Sequence, residues 1–384
     1  MRILYAANIR VPSEKAHVLQ IMNMCSAFAR AGAEVELCVA RRKNPIDGDP
    51  FVFYGLAETF RIVPLRVFDL IGGVLPGRLA YGITLMTYVV SLRRRLRIAR
   101  PEVIYTRELW LLPFLPRRYR TAWEAHDAPR RIGRLVRRAV SRPDSIVVTS
   151  DALAETVRRI RPGARIMVER NGVDLEAFER LPDRVSARRS LGLPADRKIS
   201  LYTGQLLAWK GIATLLEASK LLPDDHQVVI VGGSDDDIRA WQAKVPGNKA
   251  LFLGRRPHAE IPTFLAAADV CVLPNTAEDR ESSTYTSPIK LFEYLASGCP
   301  IVASSLPSIR EIVGEGEALL VTPDDPAALA DTIVACSVEG EQGRERAARG
   351  RRLVRERYGW ASRAVRILDS IATVRPATDR DLNH

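Results

Sequence analysis

The chain has 384 residues, 47% of them apolar and 27% charged, and a formal net charge of +12. That length exceeds one ordinary hydrophobic core, so two domains are expected, and the composition excludes a disordered, collagenous or low-complexity chain. No apolar run approaches the roughly 18 residues of a transmembrane helix, which excludes that class too.

In chain order, Arg2–Ala7 reads as a first buried strand rather than a signal-peptide core, because the sequence turns polar directly after it. A helix is expected over His17–Ala31, then strands at Val35–Ala40, Val103–Thr106, Thr121–Glu124 and Ser145–Thr149. A helix follows over Asp151–Ile160, capped by Ser150 or Asp151. Before these later strands, Leu79–Leu92 is mostly apolar and runs into Arg93-Arg94-Arg95. It reads either as a segment lying in an anionic bilayer interface or as a packed helix with a solvated arginine end.

After a turn at Asn171–Asp174 a second series begins. Its strands are Ile199–Thr203, Gln227–Val231, Ala250–Leu253, Val270–Leu273, Pro300–Ala303 and Leu319–Val321. Helices fall between them at Gly211–Leu222, Pro262–Ala268, Ile289–Ser297 and Pro326–Ser337. Strands alternating with helices imply doubly wound parallel sheets, hence two α/β domains facing each other across a cleft. Residues 1–172 hold 30 Lys/Arg against 15 Asp/Glu, a net +15, whereas residues 173–384 hold 27 against 30. The first domain therefore carries the positive field, which attracts phosphate, anionic lipid or nucleic acid.

The five cysteines (Cys25, Cys38, Cys271, Cys299, Cys336) lack CxxC spacing and read as buried free thiols of a reducing compartment. His17, His126, His226 and His258 show no zinc-ligand spacing. Asp235-Asp236-Asp237 follows Gly232-Gly233-Ser234 and reads as a helix cap, with a metal-binding Asp-x-Asp as the alternative. No metal or cofactor is expected. Basic motifs interleaved with aromatics are absent, so nucleic acid is not the expected partner.

Two motifs carry chemistry. In Thr203-Gly204-Gln205-Leu206-Leu207-Ala208-Trp209-Lys210-Gly211, a strand ends at glycine and Lys210-Gly211 opens a helix, a place where free N–H groups and a lysine attract anions. The spacing is neither a P-loop nor G-x-G-x-x-G. In Ser287-Pro288-Ile289-Lys290-Leu291-Phe292-Glu293, a helix begins near Pro288. Lys290 and Glu293 lie on one face of it, as an intrahelical ion pair or as site residues.

These motifs resemble, in order, the donor domain of retaining family 4 glycosyltransferases with the GT-B fold. So do Val231-Gly232-Gly233, Ala266-Ala267-Ala268-Asp269-Val270 with Leu273-Pro274, Gly298-Cys299-Pro300-Ile301-Val302-Ala303 and Leu319–Ala330, with Asn171-Gly172-Val173-Asp174 at the link. The resemblance implies two facing Rossmann-like domains: 1–172 on the acceptor side, 173–354 for the donor, and 355–384 as a helix crossing back to the first domain and a tail. It implies transfer of a sugar from a UDP- or GDP-sugar, with retained configuration, to an acceptor such as a lipid-linked sugar, a polysaccharide or a small metabolite. Cell-envelope or polysaccharide synthesis is the setting it suggests. A cytoplasmic protein, peripheral on the inner face of the membrane, is the expected location.

It also implies roles. Glu293 hydrogen-bonds the nucleotide ribose. Lys210 holds the diphosphate beside Gly204, and the Arg255–Pro257 turn reads the base. His126, in Trp123-Glu124-Ala125-His126-Asp127, contacts the donor sugar, with Asp127 orienting its ring or binding acceptor hydroxyls. Two positions depart from the family: Tyr285 stands for the first glutamate of its E-x7-E signature, and Gln205 for its arginine. The Ser-Pro-x-Lys-x-Phe-Glu form of Ser287, Pro288, Ile289, Lys290 and Glu293 is similar to a recurrent subgroup, and Lys290 is expected to supply the missing charge. Ser13, Glu14, Lys15 and His17 replace the usual glycine-rich first loop, with Lys15 toward donor phosphates and Glu14 and His17 toward acceptor. The alternatives are a nucleotide-sugar epimerase on the same fold and a non-catalytic protein binding nucleic acid or membrane.

Overall fold

A computed structural model of the protein describes residues 1–70, 76–129 and 131–373. Residues 374–384 of the expected C-terminal tail lie outside the described residues. The chain divides into two compact units: Met1–Arg170 with the segment from Trp360 onward, and Asn171–Gly359.

The first unit is built on β1 (Arg2–Ala7), β2 (Glu34–Arg41), β3 (Arg61–Arg66), β4 (Val103–Thr106), β5 (Arg120–Ala125), β6 (Ser145–Val148) and β7 (Ile166–Val168). All pair in parallel, in the order β3-β2-β1-β4-β5-β6-β7. Central strands such as β4 are buried at every residue, which is why they read as continuous apolar runs. β3 was not expected. It carries Pro64, whose missing N–H is tolerated because β3 is an edge.

The helix Ala16–Arg30 packs Ile21, Met24, Cys25 and Phe28 onto this sheet, and Trp360, Ala364, Ile367 and Ile371 of the helix Trp360–Ala372 join the same core. The Leu79–Leu92 segment lies within the helix Gly77–Ala99, which buries Ala80, Leu85, Tyr88, Val89, Leu92 and Leu96. Tyr88 Oη donates to the Cys38 carbonyl at 2.8 Å. Leu79, Met86, Val90 and Ile98 of the same helix remain exposed. Among the described residues no helix is long and apolar enough to cross a membrane.

The second unit holds β8 (Lys198–Thr203), β9 (His226–Val231), β10 (Leu251–Phe252), β11 (Val270–Leu273), β12 (Ile301–Ser304) and β13 (Leu319–Val321), all parallel, in the order β10-β9-β8-β11-β12-β13. The helix Ile289–Ser297 follows Pro288 and ends at Gly298, whose φ of 73° is the left-handed C-terminal stop glycine favours. Its apolar face buries Leu291, Phe292, Tyr294 and Leu295. Behind it lies the helix Glu341–Arg357, which buries only Gly343, Ala347, Gly350 and Val354. A Cβ on Gly350 would come within 2.7 Å of Leu295 Cδ2, so small residues set that approach.

In each sheet the winding reverses once, between β1 and β4 and between β8 and β11. The carboxyl ends of strands beside such a reversal are where open α/β sheets hold ligands. Residues 13–17 follow β1 and Gly204 follows β8 at such ends, while His126 follows β5, one strand further out.

Candidate active site

In the second unit, Gly204 follows β8 with φ 127° and donates its N–H to the Val231 carbonyl at 2.8 Å; Gly232 then donates to the Gly254 carbonyl at 2.7 Å. A Cβ on Gly232 would sit 2.0 Å from the Gly204 carbonyl oxygen, and one on Gly204 2.8 Å from Lys290 Nζ. Side chains are thus kept off these strand ends, and the Lys290 ammonium lies directly against the backbone.

Lys290 Nζ is inaccessible to solvent and has no hydrogen-bond partner. It stands 3.7 Å from the centroid of the Tyr202 ring, a cation–π contact that offsets only part of its desolvation. Burial first, and then the charge of Lys210, hold its pKa well below the usual lysine range against the pull of Glu293. Lys210 closes the short turn Ala208–Lys210, with Nζ 3.6 Å from the Trp209 ring centroid. Burial lowers its pKa to about 7, opposed by Glu281.

Lys290 and Glu293 do not form a hydrogen-bonded pair. Glu293 Oε1 meets His258 Nε2 at 2.7 Å instead. Desolvation works to lower the His258 pKa, but the hydrogen bond and charge of Glu293, helped by Asp174, outweigh it and the net direction is upward. His258 lies just beyond the Arg255–Pro257 turn, 35 residues from Glu293, and no local spacing announces the pair.

The remaining candidates of this unit are dispersed. The Gln205 carbonyl accepts from Tyr202 Oη at 2.8 Å while its side chain is exposed. Tyr285 is buried under Arg280, whose guanidinium carbon lies 5.1 Å from the ring centroid. Ser287 is engaged by Asn171: Oγ accepts from the Asn171 N–H at 3.0 Å, and the Ser287 carbonyl from Asn171 Nδ2 at 2.6 Å. Pro288 precedes the helix and Ile289 opens it. Ser234 and Asp237 form a reciprocal capping box on the helix Asp235–Lys244, which accounts for the acidic run. Among the described residues no cluster fit to hold a metal ion is present.

In the first unit, His126 lies just past β5. Its Nε2 is 2.7 Å from Glu124 Oε1, so Glu124 and not Asp127 orients the ring; Asp127 is exposed. Burial, then the charge of Arg107, push the His126 pKa down to about 4. Strand periodicity puts residues 124 and 126 on one side, and that was the available signal for Glu124. His17 is also lowered to about 4, by burial and then by Arg107 and Lys15. The Ser13 N–H donates to Tyr54 Oη at 2.7 Å, Lys15 immediately precedes the helix Ala16–Arg30 without a side-chain cap hydrogen bond, and Glu14 Oε2 lies 3.9 Å from Arg10.

Both units match known families. Residues 18–177 match the model "Glycosyltransferase Family 4", and residues 197–337 match "Glycosyl transferases group 1". Among curated proteins, the chain is 34% identical over 215 residues to a phosphatidyl-myo-inositol mannosyltransferase of Mycobacterium tuberculosis, covering 53% of each. The chain spans about half the length of the first curated relatives it matches. Among solved structures, a sucrose-phosphate synthase of Thermosynechococcus elongatus superposes with a TM-score of 0.77 at 21% identity, over 97% of this chain and 98% of that one. The Anabaena protein HepE in complex with UDP and glucose gives 0.73 at 20%, over 97% and 100%.

Proposed function

The chain belongs to the group 1, family 4 glycosyltransferases and has the GT-B fold, and we propose that it moves a sugar from a nucleotide diphosphate sugar to an acceptor with retained anomeric configuration. The observation that carries this reading is Lys290 Nζ, a buried ammonium with no hydrogen-bond partner, set against Gly204 and repelled by Lys210. An uncompensated buried cation is costly. A diphosphate bound here relieves that cost, and charge building on the departing diphosphate is stabilised by dipoles and charges already in place. Lys290 then makes good the charge that Gln205 lacks, in keeping with the Ser-Pro-x-Lys-x-Phe-Glu subgroup.

Glu293 holds the ribose and the Arg255–Pro257 turn the base. His126 attends the sugar, whose first contact Tyr285 alters. Residues 173–354 serve the donor and 1–172 the acceptor. The carboxylate beside His126, Glu124, is fully buried with its oxygens engaged by Arg363, Gln20, Tyr105 and His126, so attack from the face the diphosphate leaves is preferred to a covalent intermediate. The donor is UDP- or GDP-linked; the UDP in HepE puts uridine first.

The acceptor is a lipid-linked or polymeric sugar of the cell envelope, met at the inner face of the membrane. The net +15 of residues 1–172 and the exposed Leu79, Met86, Val90 and Ile98 beside an arginine cluster support this, as does the lipid in the mannosyltransferase's name.

A thermal-shift screen of UDP, GDP, ADP and their sugars tests the donor, since ligands that bind only the native state raise stability. One nucleotide should stabilise selectively, and free nucleotide should be released only when acceptor is present. Turnover that survives both His126→Ala and Lys210→Ala would overturn the site.

A further inference from the structure

We infer that Arg363, on the helix Trp360–Ala372, is a positioning residue that sets the tautomer and charge His126 presents to a ligand. The inference concerns side chains of the first unit alone, and only its kinetic arm rests on the sugar-facing role proposed for His126.

Glu124, the penultimate residue of β5, has a fully buried carboxylate whose acceptors are occupied. Oε1 accepts from Arg363 Nη2 at 2.7 Å, from Gln20 Nε2 at 2.9 Å and from His126 Nε2 at 2.7 Å; Oε2 accepts from Tyr105 Oη at 2.7 Å. Arg363 is itself fully buried. Its Nε donates to the Arg170 carbonyl at 2.8 Å and its Nη2 also to the Glu169 carbonyl at 3.1 Å. Within this cluster Arg363 is the full positive charge hydrogen-bonded to Glu124, and it neutralises the carboxylate without help from the imidazole.

The charged groups acting on His126 are Arg107, Glu124 and Arg363. Arg107 donates to Gln20 Oε1 at 2.7 Å and to the His17 carbonyl at 3.3 Å, so its guanidinium faces the same cluster from beyond β4. A second proton on His126 would add a third cation to a buried site with one anion. The ring therefore stays neutral. A neutral imidazole with one nitrogen against a carboxylate keeps its proton there, so Nε2–H donates to Glu124 and Nδ1 retains its lone pair. His126 consequently offers a hydrogen-bond acceptor, the form suited to a sugar hydroxyl. Without the Arg363 charge, Glu124 is left to be neutralised by His126, which takes up a proton and turns Nδ1 into a donor.

Nitrogen-15 NMR of the histidine side chains in the full chain tests this. The wild type should show His126 as the Nε2–H tautomer, neutral at pH 6. R363M should raise its midpoint by at least about one unit toward or past the ordinary 6.5. R363K keeps the charge and should move it much less, and E124Q should not raise it. An Nδ1–H tautomer in the wild type, or an unmoved midpoint in folded R363M, overturns the inference. Should R363M not fold, the wild-type tautomer and the R363K titration decide. In a turnover assay R363M should lower kcat more than it raises KM, with recovery above the new midpoint, which a packing defect would not give. NMR shifts as expected without that recovery would keep the positioning role and reject the sugar-facing role of His126.

Discussion

The two polar centres treat buried charge in opposite ways. In the first unit Glu124 meets four donors, one of them the Arg363 guanidinium, and His126 stays neutral beside it. In the second unit Lys290 Nζ is buried without a hydrogen bond, Lys210 is pushed toward neutrality, and Glu293 is taken by His258. A satisfied buried network fixes geometry; one left short of an anion carries a cost that a ligand can remove. The first centre is finished by the chain itself. On the proposed reading, the second is finished by a bound diphosphate.

That contrast is exposed to breakage in order of expected effect. Glu124→Ala leaves Arg363 buried and unpaired, which should cost roughly 3–5 kcal/mol in denaturant unfolding; a loss below about 1 kcal/mol would mean the network is not a closed charge pair. Lys210→Ala should lower turnover about 10²–10³-fold, the scale of a lost transition-state donor, in initial-rate assays. Lys290→Met carries opposite signs on its two readouts. It removes a buried amine that has no hydrogen-bond partner, so the melting midpoint of the ligand-free protein should rise, by the equivalent of about 1–3 kcal/mol, while affinity for nucleoside diphosphate falls about tenfold. A destabilised Lys290→Met would place the lysine with the first centre's kind of charge.

The smallest effect is the pH dependence. His126 falls from an ordinary 6.5 to about 4 on folding, so between those values the unfolded chain binds the extra proton. Its contribution to stability is complete above pH 6.5 and declines as the pH falls toward 4, by roughly 1–3 kcal/mol. His258 is raised, so its contribution is complete below its unfolded value and is lost as the pH rises through the folded one. Denaturation across pH 4.5–8 should show a shallower acid slope in His126→Gln, with the share owed to His17 remaining, and should lose the share owed to His258 in Glu293→Gln.

Much of this was legible in the chain because local patterns carried it. The apolar run Val270–Leu273 is a central strand at those bounds, and Pro288 with Gly298 bracket the helix bearing Lys290 and Glu293. β3 escaped because Pro64 and its terminal arginines make an edge strand look like loop. The helix Glu341–Arg357 escaped because it packs largely through glycine and alanine, and its two large apolar residues, Leu353 and Val354, are adjacent rather than at helical spacing. At the site, Lys210 and Lys290 were readable from their motifs. Arg363 stands 239 residues from Glu124 and His258 35 from Glu293. Such pairs are made by the fold, and no window of sequence contains them.

Titration calorimetry of UDP and UMP against the wild type and Lys290→Met addresses most directly whether the second centre is an unfinished diphosphate site. UDP should bind the wild type at least about tenfold tighter than UMP, a gap of ~1.4 kcal/mol, and the gap should close in Lys290→Met. Equal binding of the two nucleotides by the wild type, or a gap that persists without Lys290, would contradict it.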